Sequence, residues 1–216
     1  MDAHLKFMLE NKVIVICRKV YGQELIHLAD AILTGGIRML EVTFDQSDPD
    51  NLDKTAQAIA LLKETFGVQL LVGAGTVLSC AQVDAAAQAG AAYIVSPNTD
   101  REVIVRTKEL GLLSVPGAMT PTEIISAHQY GADLVKLFPA AALGVGYIKD
   151  IRSPINHVKL LATGGINDKN MADFFKAGCV GIGIGGQLCD LSLVAAGDFA
   201  AITARARRFA EIAQNA

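Results

Sequence analysis

The sequence predicts a single-domain α/β protein with the architecture of a (β/α)₈ barrel, the TIM barrel. Three observations support this prediction. The chain has 216 residues, close to the minimum size of that fold. Short apolar segments alternate with longer helix-like segments, which implies parallel strands covered by helices. Eight such strand–helix units follow one another without a linker, so we expect residues 1–216 to form one domain.

The eight units account for most of the chain. The predicted strands are Val13–Cys17, Met39–Phe44, Leu70–Val72, Ala92–Val95, Leu113–Val115, Leu134–Phe138, Val158–Leu161 and Val180–Ile184. The predicted helices are Gln23–Leu33, Asp50–Phe66, Cys80–Ala89, Asp100–Leu110, Pro121–Tyr130, Gly146–Ile151, Asp168–Lys176 and Gly197–Ala213. The alternative, a doubly wound open sheet, usually carries a glycine fingerprint after its first strand. Arg18-Lys-Val-Tyr stands there instead, which favours the barrel.

Local signals mark several helix ends. Thr120 is a candidate N-cap, and Pro121 suits the first helical position. Four predicted helices should end at a glycine, which accepts the left-handed conformation that closes a helix. These glycines are Gly36, Gly90, Gly131 and Gly178. They precede strands two, four, six and eight, which fits either an ancestral repeat of two βα units or the general use of glycine at helix ends.

Composition and charge exclude several classes of partner. The net charge is −3, aromatic residues make up 6% and there is no Trp, so neither a phosphate backbone nor nucleic-acid bases have an evident binding surface. The uncharged, apolar run Ala177–Cys189 contains five glycines and is too short to span a bilayer. Met1–Lys12 lacks the apolar segment of a signal peptide. We therefore expect a cytoplasmic protein that binds neither nucleic acid nor membrane.

The cysteines and histidines indicate neither disulfides nor a metal site. Cys17, Cys80, Cys179 and Cys189 form no C-x-x-C pair and are interpreted as reduced thiols. The four histidines fall in predicted helices, an end segment or a strand start, without the spacing of a metal-binding motif. These are His4, His27, His128 and His157.

Two charged residues stand inside apolar strands. Lys136 lies in Leu134-Val-Lys-Leu-Phe-Pro, and Glu41 lies in Leu40-Glu-Val-Thr-Phe. Desolvation lowers the pKa of a lysine and raises that of a glutamate, which favours a neutral amine nucleophile beside a proton-exchanging carboxyl. The alternative is a structural buried ion pair, which contributes little stability. A rival strand lysine, Lys159, lies at the start of its strand, away from the end where barrels carry their chemistry.

Small residues follow strands three, seven and eight. Thr163, Gly164 and Gly165 end strand seven, and Gly185 and Gly186 follow strand eight. The loops after strands seven and eight are the usual phosphate site of these barrels, and glycine lets backbone N–H groups approach an anion. The loop after strand three carries a hydroxyl, that of Thr76, which is suited to hydrogen-bonding a bound acid.

The chain resembles a known family through an ordered set of motifs. They are Leu40-Glu-Val-Thr, Gly73-Ala-Gly-Thr-Val, Ile94-Val-Ser-Pro, Val115-Pro-Gly, Val135-Lys-Leu-Phe-Pro-Ala and Thr163-Gly-Gly. Together they are similar to those of the 2-keto-3-deoxy-6-phosphogluconate and 4-hydroxy-2-oxoglutarate aldolases. The resemblance implies a class I aldolase on a (β/α)₈ barrel, commonly a homotrimer, that cleaves a 2-oxo-4-hydroxy acid to pyruvate and an aldehyde without a cofactor.

The resemblance also implies roles for individual residues. Lys136 would form the Schiff base and Glu41 would be the general acid/base. Thr76 and Arg18 would contact the carboxylate of the substrate. The remaining residues would shape the pocket or hold the distal group of the substrate. The pocket-shaping residues are Ser96, Pro97, Pro116 and Gly117, and the distal group would contact Thr163, Gly164 and Gly165.

Two positions depart from the family pattern and keep the choice of substrate open. Asp45 stands where many members have an arginine that binds the substrate carboxylate, and Gln187 stands where a serine often lies near the phosphate. The substrate is therefore expected to be 2-keto-3-deoxy-6-phosphogluconate, its galactonate epimer or 4-hydroxy-2-oxoglutarate. Two alternatives of other classes are a barrel that binds a phosphorylated metabolite without catalysis and an isomerase that needs no lysine.

Overall fold

A computed structural model of the chain describes residues 2–216, so only Met1 of the predicted domain lies outside the described residues. Nine strand segments form one parallel sheet. In chain order they are β1 (Val13–Cys17), β2 (Met39–Thr43), β3 (Leu71–Gly75), β4 (Tyr93–Val95), β5 (Leu113–Val115), β6 (Gly117–Ala118), β7 (Val135–Leu137), β8 (Leu160–Thr163) and β9 (Gly181–Ile184).

The sheet closes through its fifth strand, which is split into β5 and β6 by Pro116. The strand order is β5-β4-β3-β2-β1-β9-β8-β7-β6, so β5 and β6 stand at opposite ends of the order but are adjacent in the chain. Proline has no N–H to give to the ladder. The carbonyl of Pro116 still accepts from the Lys136 N–H at 2.8 Å, joining this strand to β7. The prediction of an eight-stranded barrel is therefore confirmed, with one strand interrupted.

Ten helices are found among residues 2–216. They are α1 (Ala3–Asn11), α2 (Gly22–Thr34), α3 (Asn51–Phe66), α4 (Cys80–Gln88), α5 (Arg101–Glu109), α6 (Pro121–Gln129), α7 (Ala140–Arg152), α8 (Met171–Lys176), α9 (Leu191–Ala195) and α10 (Phe199–Gln214). A short 3₁₀ turn, Gly67–Gln69, follows α3. None of these helices is long and apolar enough to cross a membrane.

Most predicted elements agree with the structure to within a few residues, but three predictions were incomplete. Neither α1 nor α9 was predicted from the sequence. The predicted start of α7 was Gly146, whereas the helix begins at Ala140 and is kinked at Gly144, where φ is 79°. Glycine tolerates this backbone conformation, so the polypeptide turns there before the helix continues.

The predicted helix-end signals are confirmed. Thr120 caps α6 in a capping box with Glu123, and Pro121 occupies its first turn. The four predicted helix-stopping glycines all have positive φ, between 89° and 109°. They lie where the chain leaves a helix and turns into the next strand. The four glycines thus mark the approach to β2, β4, β7 and β9.

The barrel interior is filled by alternate residues of the strands. Ile14, Met39, Leu134 and Leu161 belong to one buried cluster, which Met8 of α1 joins. Because side chains two residues apart in a strand share a face, Glu41 follows Met39, and Lys136 follows Leu134, on this inner face. The strand residues between them pack in a second cluster with the surrounding helices.

The cysteines are free thiols, and three of them are buried. Cys17, Cys179 and Cys189 are buried, while Cys80 is half-buried at the start of α4. Among residues 2–216 no group of three or more His, Cys, Asp or Glu side chains is placed to hold a metal ion. His128 and His157 do contact each other, edge to face, with ring centroids 5.1 Å apart.

Candidate active site

Lys136 lies in the middle of β7 and is almost entirely buried. Its side chain is 5% exposed, and in register it lies between Gly117 of β6 and Leu161 of β8. Its Nζ lies 5.3 Å from the centroid of the Phe138 ring. Burial lowers the pKa of the Lys136 amine; the charge of Glu41 opposes this shift and that of Arg18 adds to it. Burial thus shifts this amine toward its neutral form, which is the form that can attack a carbonyl carbon.

Glu41 is buried on β2, across the barrel interior from β7. It is 2% exposed and in register with Ile16 of β1 and Gly73 of β3. Burial raises the pKa of the Glu41 carboxyl, against the opposing charges of Lys136 and Arg18. A carboxyl with a raised pKa exchanges protons closer to neutral pH.

Glycine leaves the space that the Glu41 carboxyl occupies. A Cβ on Gly75, at the end of β3, would lie 2.7 Å from Glu41 Oε1. The charges of Lys136 and Glu41 affect each other's pKa. The two groups form no ion pair within 4.0 Å among the contacts of residues 2–216. The Lys136 amine and the Glu41 carboxyl are therefore not locked in a direct ion pair.

A cleft of about 430 Å³ opens at the C-terminal end of the strands. Its lining combines the ends of β1, β8 and β9 with Phe138, which follows β7. The lining residues are Ile16, Arg18, Phe138, Thr163, Gly164, Gly165, Ile166, Asn167, Gly183, Gly185, Gly186 and Gln187. The cleft thus brings together the loops after strands one, seven and eight.

The two predicted glycine pairs face this cleft. Gly164 and Gly165 both have positive φ, 92° and 73°. A Cβ on Gly165 would lie 2.6 Å from the Cβ of Ala141, so glycine is required there for close packing against α7. Gly185 and Gly186 have open space around them. Backbone N–H groups at such positions are accessible to an oxyanion.

Arg18 supplies positive charge to the same cleft. Its side chain is exposed and makes no ion pair with any residue in 2–216, while it lines the cleft with Thr163. The Thr163 hydroxyl is buried and has no hydrogen-bond partner within the described chain. Both groups are therefore available to a bound anion.

Thr76 and Asp45 lie at the same end of the barrel, but outside the lining of the cleft. Thr76 has a left-handed backbone, φ 55°, and its carbonyl accepts from Gln46 Nε2 at 2.7 Å. Asp45 is paired with Lys19 at 3.0 Å and accepts from the Ser47 hydroxyl at 2.7 Å. The bonds from Ser47 and Lys19 lower the pKa of Asp45 to about 2. Its negative charge is thus matched by Lys19.

The predicted pocket-shaping residues lie at the end of β4 and in the split fifth strand, outside the lining of the cleft. The Ser96 hydroxyl donates to the Val77 carbonyl at 2.7 Å. A Cβ on Gly117 would lie 2.3 Å from the carbonyl carbon of Pro97, so the two segments are in direct backbone contact. Pro116 is buried beside them. Ser96 therefore fixes the loop rather than offering its hydroxyl to the cleft.

Lys159 is placed as the sequence analysis expects for a lysine without a catalytic role. It precedes β8, at the N-terminal end of the barrel, and it is exposed. Two aromatic residues of the site were missed. Phe138 is 37% exposed in the cleft, and Tyr93 is buried near Glu41. Aromatic residues in or beside a strand are typical of a core, so the sequence pattern does not distinguish these two residues from ordinary core residues.

Comparison with known proteins agrees with this geometry. The profile of the family described as "KDPG and KHG aldolase" matches residues 5–205. The 2-dehydro-3-deoxy-6-phosphogalactonate aldolase of Escherichia coli K12 is 35% identical over 177 residues, 82% of this chain and 83% of that protein. The 2-dehydro-3-deoxy-phosphogluconate aldolase of Treponema pallidum is 34% identical and covers 88% of both chains.

A solved structure shows the same fold with a reaction intermediate. The KDPG aldolase of Legionella pneumophila, with pyruvate captured as a covalent carbinolamine, superimposes with a TM-score of 0.83 and 28% identity. The alignment covers 94% of this chain and 96% of that one. Fold, buried amine and relatives together define a class I barrel aldolase, a carbon–carbon lyase that acts through a Schiff base. The chain belongs to the KDPG and KHG aldolase family.

Proposed function

We propose that this protein cleaves a six-carbon 2-oxo-4-hydroxy acid with a 6-phosphate, either 2-keto-3-deoxy-6-phosphogluconate or its galactonate epimer. The products are pyruvate and glyceraldehyde 3-phosphate. The observation that supports this most directly is the buried Lys136 amine beside the ring of Phe138, which lines a cleft with accessible glycine backbone and the cation of Arg18. A phosphate at the far end of the substrate matches the chemistry of that cleft.

Lys136 carries the covalent chemistry. Its neutral nitrogen attacks C2 of the substrate, and the carbonyl oxygen leaves as water, giving an iminium. Glu41, directly or through a water, takes the proton of the C4 hydroxyl. The C3–C4 bond then breaks, its electron pair moves into the iminium to form an enamine, and the aldehyde leaves.

Glu41 completes the cycle. It returns its proton to C3 of the enamine, which restores the iminium. Addition of water at C2 then releases pyruvate and the free amine. No electrons enter or leave the system, so the lysine replaces a cofactor as the electron sink.

The remaining site residues bind the two ends of the substrate. We assign the carboxylate to Thr76 and Arg18, and the phosphate to Thr163 with the glycine backbone of the two loops. That backbone comprises Gly164, Gly165, Gly185 and Gly186. Ser96, Pro97 and Pro116 support the wall of the pocket. Because Lys19 neutralises Asp45, that carboxylate does not repel the substrate as strongly as its position in the sequence implies.

Borohydride reduction in the presence of pyruvate tests the proposal. We expect a stable adduct on Lys136, located by peptide mass mapping, and its complete loss in Lys136→Met. Lys159→Met is the matched control and should label like the unchanged protein. A label on Lys159, or cleavage activity that survives in Lys136→Met, would contradict the Schiff-base assignment and favour an isomerase or a non-catalytic binding protein.

Relative turnover identifies the substrate. We expect kcat/KM for one of the two phosphorylated acids to exceed that for 4-hydroxy-2-oxoglutarate by about tenfold or more, because the unphosphorylated acid leaves the glycine loops without a ligand. Equal values for all three acids would contradict the assignment of the cleft to phosphate.

We also propose that the protein is a cytoplasmic homotrimer, as its resemblance to the family implies. Three buried free thiols fit a reducing compartment. Sedimentation equilibrium is expected to give three times the mass of the chain, and a monomer or dimer would contradict the proposal.

A further inference from the structure

The side chain of Asn170 holds the glycine loop that follows β8. Asn170 is half-buried and stands directly before α8. Its Nδ2 donates to the Gly165 carbonyl at 3.1 Å, and its Oδ1 accepts from the Asn167 N–H at 2.8 Å. One amide group thus binds the loop at two points that lie two residues apart in the chain.

The orientation of the two glycine peptides follows from where their carbonyls bind. The Gly164 carbonyl accepts from the Ala141 N–H at 3.0 Å, and the Gly165 carbonyl accepts from Asn170. Both peptide bonds are trans. A trans peptide directs its N–H opposite to its carbonyl. The N–H of Gly165 therefore points away from α7, and the N–H of Ile166 points away from Asn170.

These two N–H groups have no partner within the described part of the chain. Neither Gly165 nor Ile166 donates a backbone hydrogen bond to any residue in 2–216. Ile166 is 6% exposed, and buried backbone N–H groups are nearly always paired. Both residues line the cleft of about 430 Å³. Two successive unpaired N–H groups beside a cleft are suited to an oxyanion.

The glycine loop depends on its carbonyl bonds for a fixed shape. Glycine has wide conformational freedom, so an untied peptide in such a loop can rotate and turn its N–H away from a ligand. The Gly164 carbonyl is held by the backbone of α7. Of the side-chain hydrogen bonds formed by residues 2–216, only that of Asn170 reaches a carbonyl of this glycine pair. Asn170 therefore fixes the peptide between Gly165 and Ile166.

We propose that Asn170 is a positioning residue for the phosphate of the substrate. It orients the peptide between Gly165 and Ile166 so that the Ile166 N–H meets a phosphate oxygen. This inference rests on the proposed function, because it concerns the phosphorylated end of the substrate. Asn170 is outside the lining of the cleft, so it acts through the backbone and does not touch the ligand. Its loss weakens the binding of phosphate and leaves the chemistry of Lys136 intact.

The test compares phosphorylated and unphosphorylated substrates in Asn170→Ala. We expect KM for the preferred phosphorylated acid to rise by about tenfold, the order of one hydrogen bond to a charged group. The kcat for that acid, and both constants for 4-hydroxy-2-oxoglutarate, should stay near those of the unchanged protein. Inorganic phosphate, used as an inhibitor of 4-hydroxy-2-oxoglutarate cleavage, should lose affinity by a similar factor. A merely structural role would not separate the two substrates.

Asn11→Ala is the matched control. The Asn11 Nδ2 donates to the Phe7 carbonyl at 2.9 Å within α1, so the substitution removes the same kind of bond away from the cleft. We expect it to change neither the KM of the phosphorylated acid nor the affinity for inorganic phosphate. An equal rise of KM in Asn11→Ala and Asn170→Ala would show a general effect of losing such a bond and would overturn the inference.

A second variant separates the loop from the turn before α8. Asn170→Asp keeps an oxygen that accepts from the Asn167 N–H, but it has no N–H to give to the Gly165 carbonyl. The Ala and Asp variants share only the missing donor, so both are expected to raise the KM of the phosphorylated acid. If Asn170→Ala does not fold, Asn170→Asp still carries the test. An unchanged KM in either folded variant would overturn the inference.

The same measurements distinguish this inference from the proposed function. If the unchanged protein shows no preference for phosphorylated acids and no inhibition by inorganic phosphate, the assignment of the cleft fails, and the role of Asn170 fails with it. A preference that survives undiminished in the Asn170 variants rejects only the role of Asn170. Borohydride trapping of pyruvate on Lys136 is run on every variant. An adduct that persists beside a raised KM supports a loss confined to the phosphate end.

Discussion

At the residue scale, two charged side chains could be predicted as candidates for the centre of the site because the sequence places them where a strand should be apolar. Lys136 and Glu41 are both buried, on facing strands of the barrel. Tyr93 could not be predicted in the same way. A tyrosine in a strand looks like any core residue until the structure shows that its hydroxyl has no partner. Nor did the sequence show that Lys19 would pair with Asp45.

The proposed mechanism gives Lys136 the covalent bond and Glu41 the proton transfer, and this division leads to a prediction at the residue scale. Glu41→Gln keeps the shape of the side chain but removes the proton acceptor, so we expect kcat for cleavage to fall by about 10²- to 10⁴-fold. The Lys136 amine is retained, and pyruvate with borohydride should still label it. Kinetics and mass mapping on the same preparation check both results. Glu64→Gln, an exposed change on α3, is the control. Equal activity in the two variants would remove Glu41 from the mechanism.

At the element scale, the strands were predicted well because parallel strands covered on both faces are short and apolar, and glycines mark where the helices before them end. The elements that escaped prediction depend on distant contacts. The burial of α1 depends on its position across the end of the barrel, where Met8 meets Ile14 and Met39. The break at Pro116 follows from its lack of an N–H, but the strand continues because the carbonyl of Pro116 bonds to β7.

Strand β3 provides a prediction at this scale. Gly75→Ala places a Cβ 2.7 Å from Glu41 Oε1, so the carboxyl must move. We expect kcat to fall by about tenfold to a hundredfold, because a displacement of about 1 Å in a reacting group has that effect. The control is Gly146→Ala in α7, which has open space and no left-handed φ. Steady-state kinetics of the two variants check this prediction. Equal kcat values in Gly75→Ala and Gly146→Ala would mean that the Glu41 carboxyl does not occupy the position over Gly75.

At the scale of the whole molecule, the two ends of the barrel differ in character. The C-terminal end carries the cleft, the glycine loops and Arg18. The N-terminal end is closed by α1, where Met8 is 3% exposed and the remaining void is about 10 Å³, at the lower limit for one water. The fold class could be predicted from chain length and alternation, whereas this closure depends on packing that a linear pattern does not reveal.

This difference between the two ends of the barrel predicts that the free energy of unfolding and the kcat can be changed by separate substitutions. Met8→Ala removes buried side-chain volume from the closed end, and we expect the free energy of unfolding to fall by about 2–5 kcal/mol. The kcat measured well below the unfolding transition should stay near that of the unchanged protein, because barrel chemistry is located at the other end. Urea denaturation and kinetics measure the two effects. Val68→Ala, at a residue that is 92% exposed, should alter neither. A large loss of kcat in Met8→Ala would show that the ends are coupled.

The closed end has a consequence for the order in which molecules come and go. With α1 packed across the other end of the barrel, we expect a substrate to reach the amine of Lys136 from the side of the cleft. In the proposed mechanism the half of the substrate that is joined to nitrogen then lies innermost, and the aldehyde half lies between it and solvent. In the cleavage direction the aldehyde must depart before pyruvate does, and in the reverse reaction pyruvate must enter first. A barrel that is closed at its N-terminal end thus imposes an order of binding and release that a barrel open at both ends would not impose.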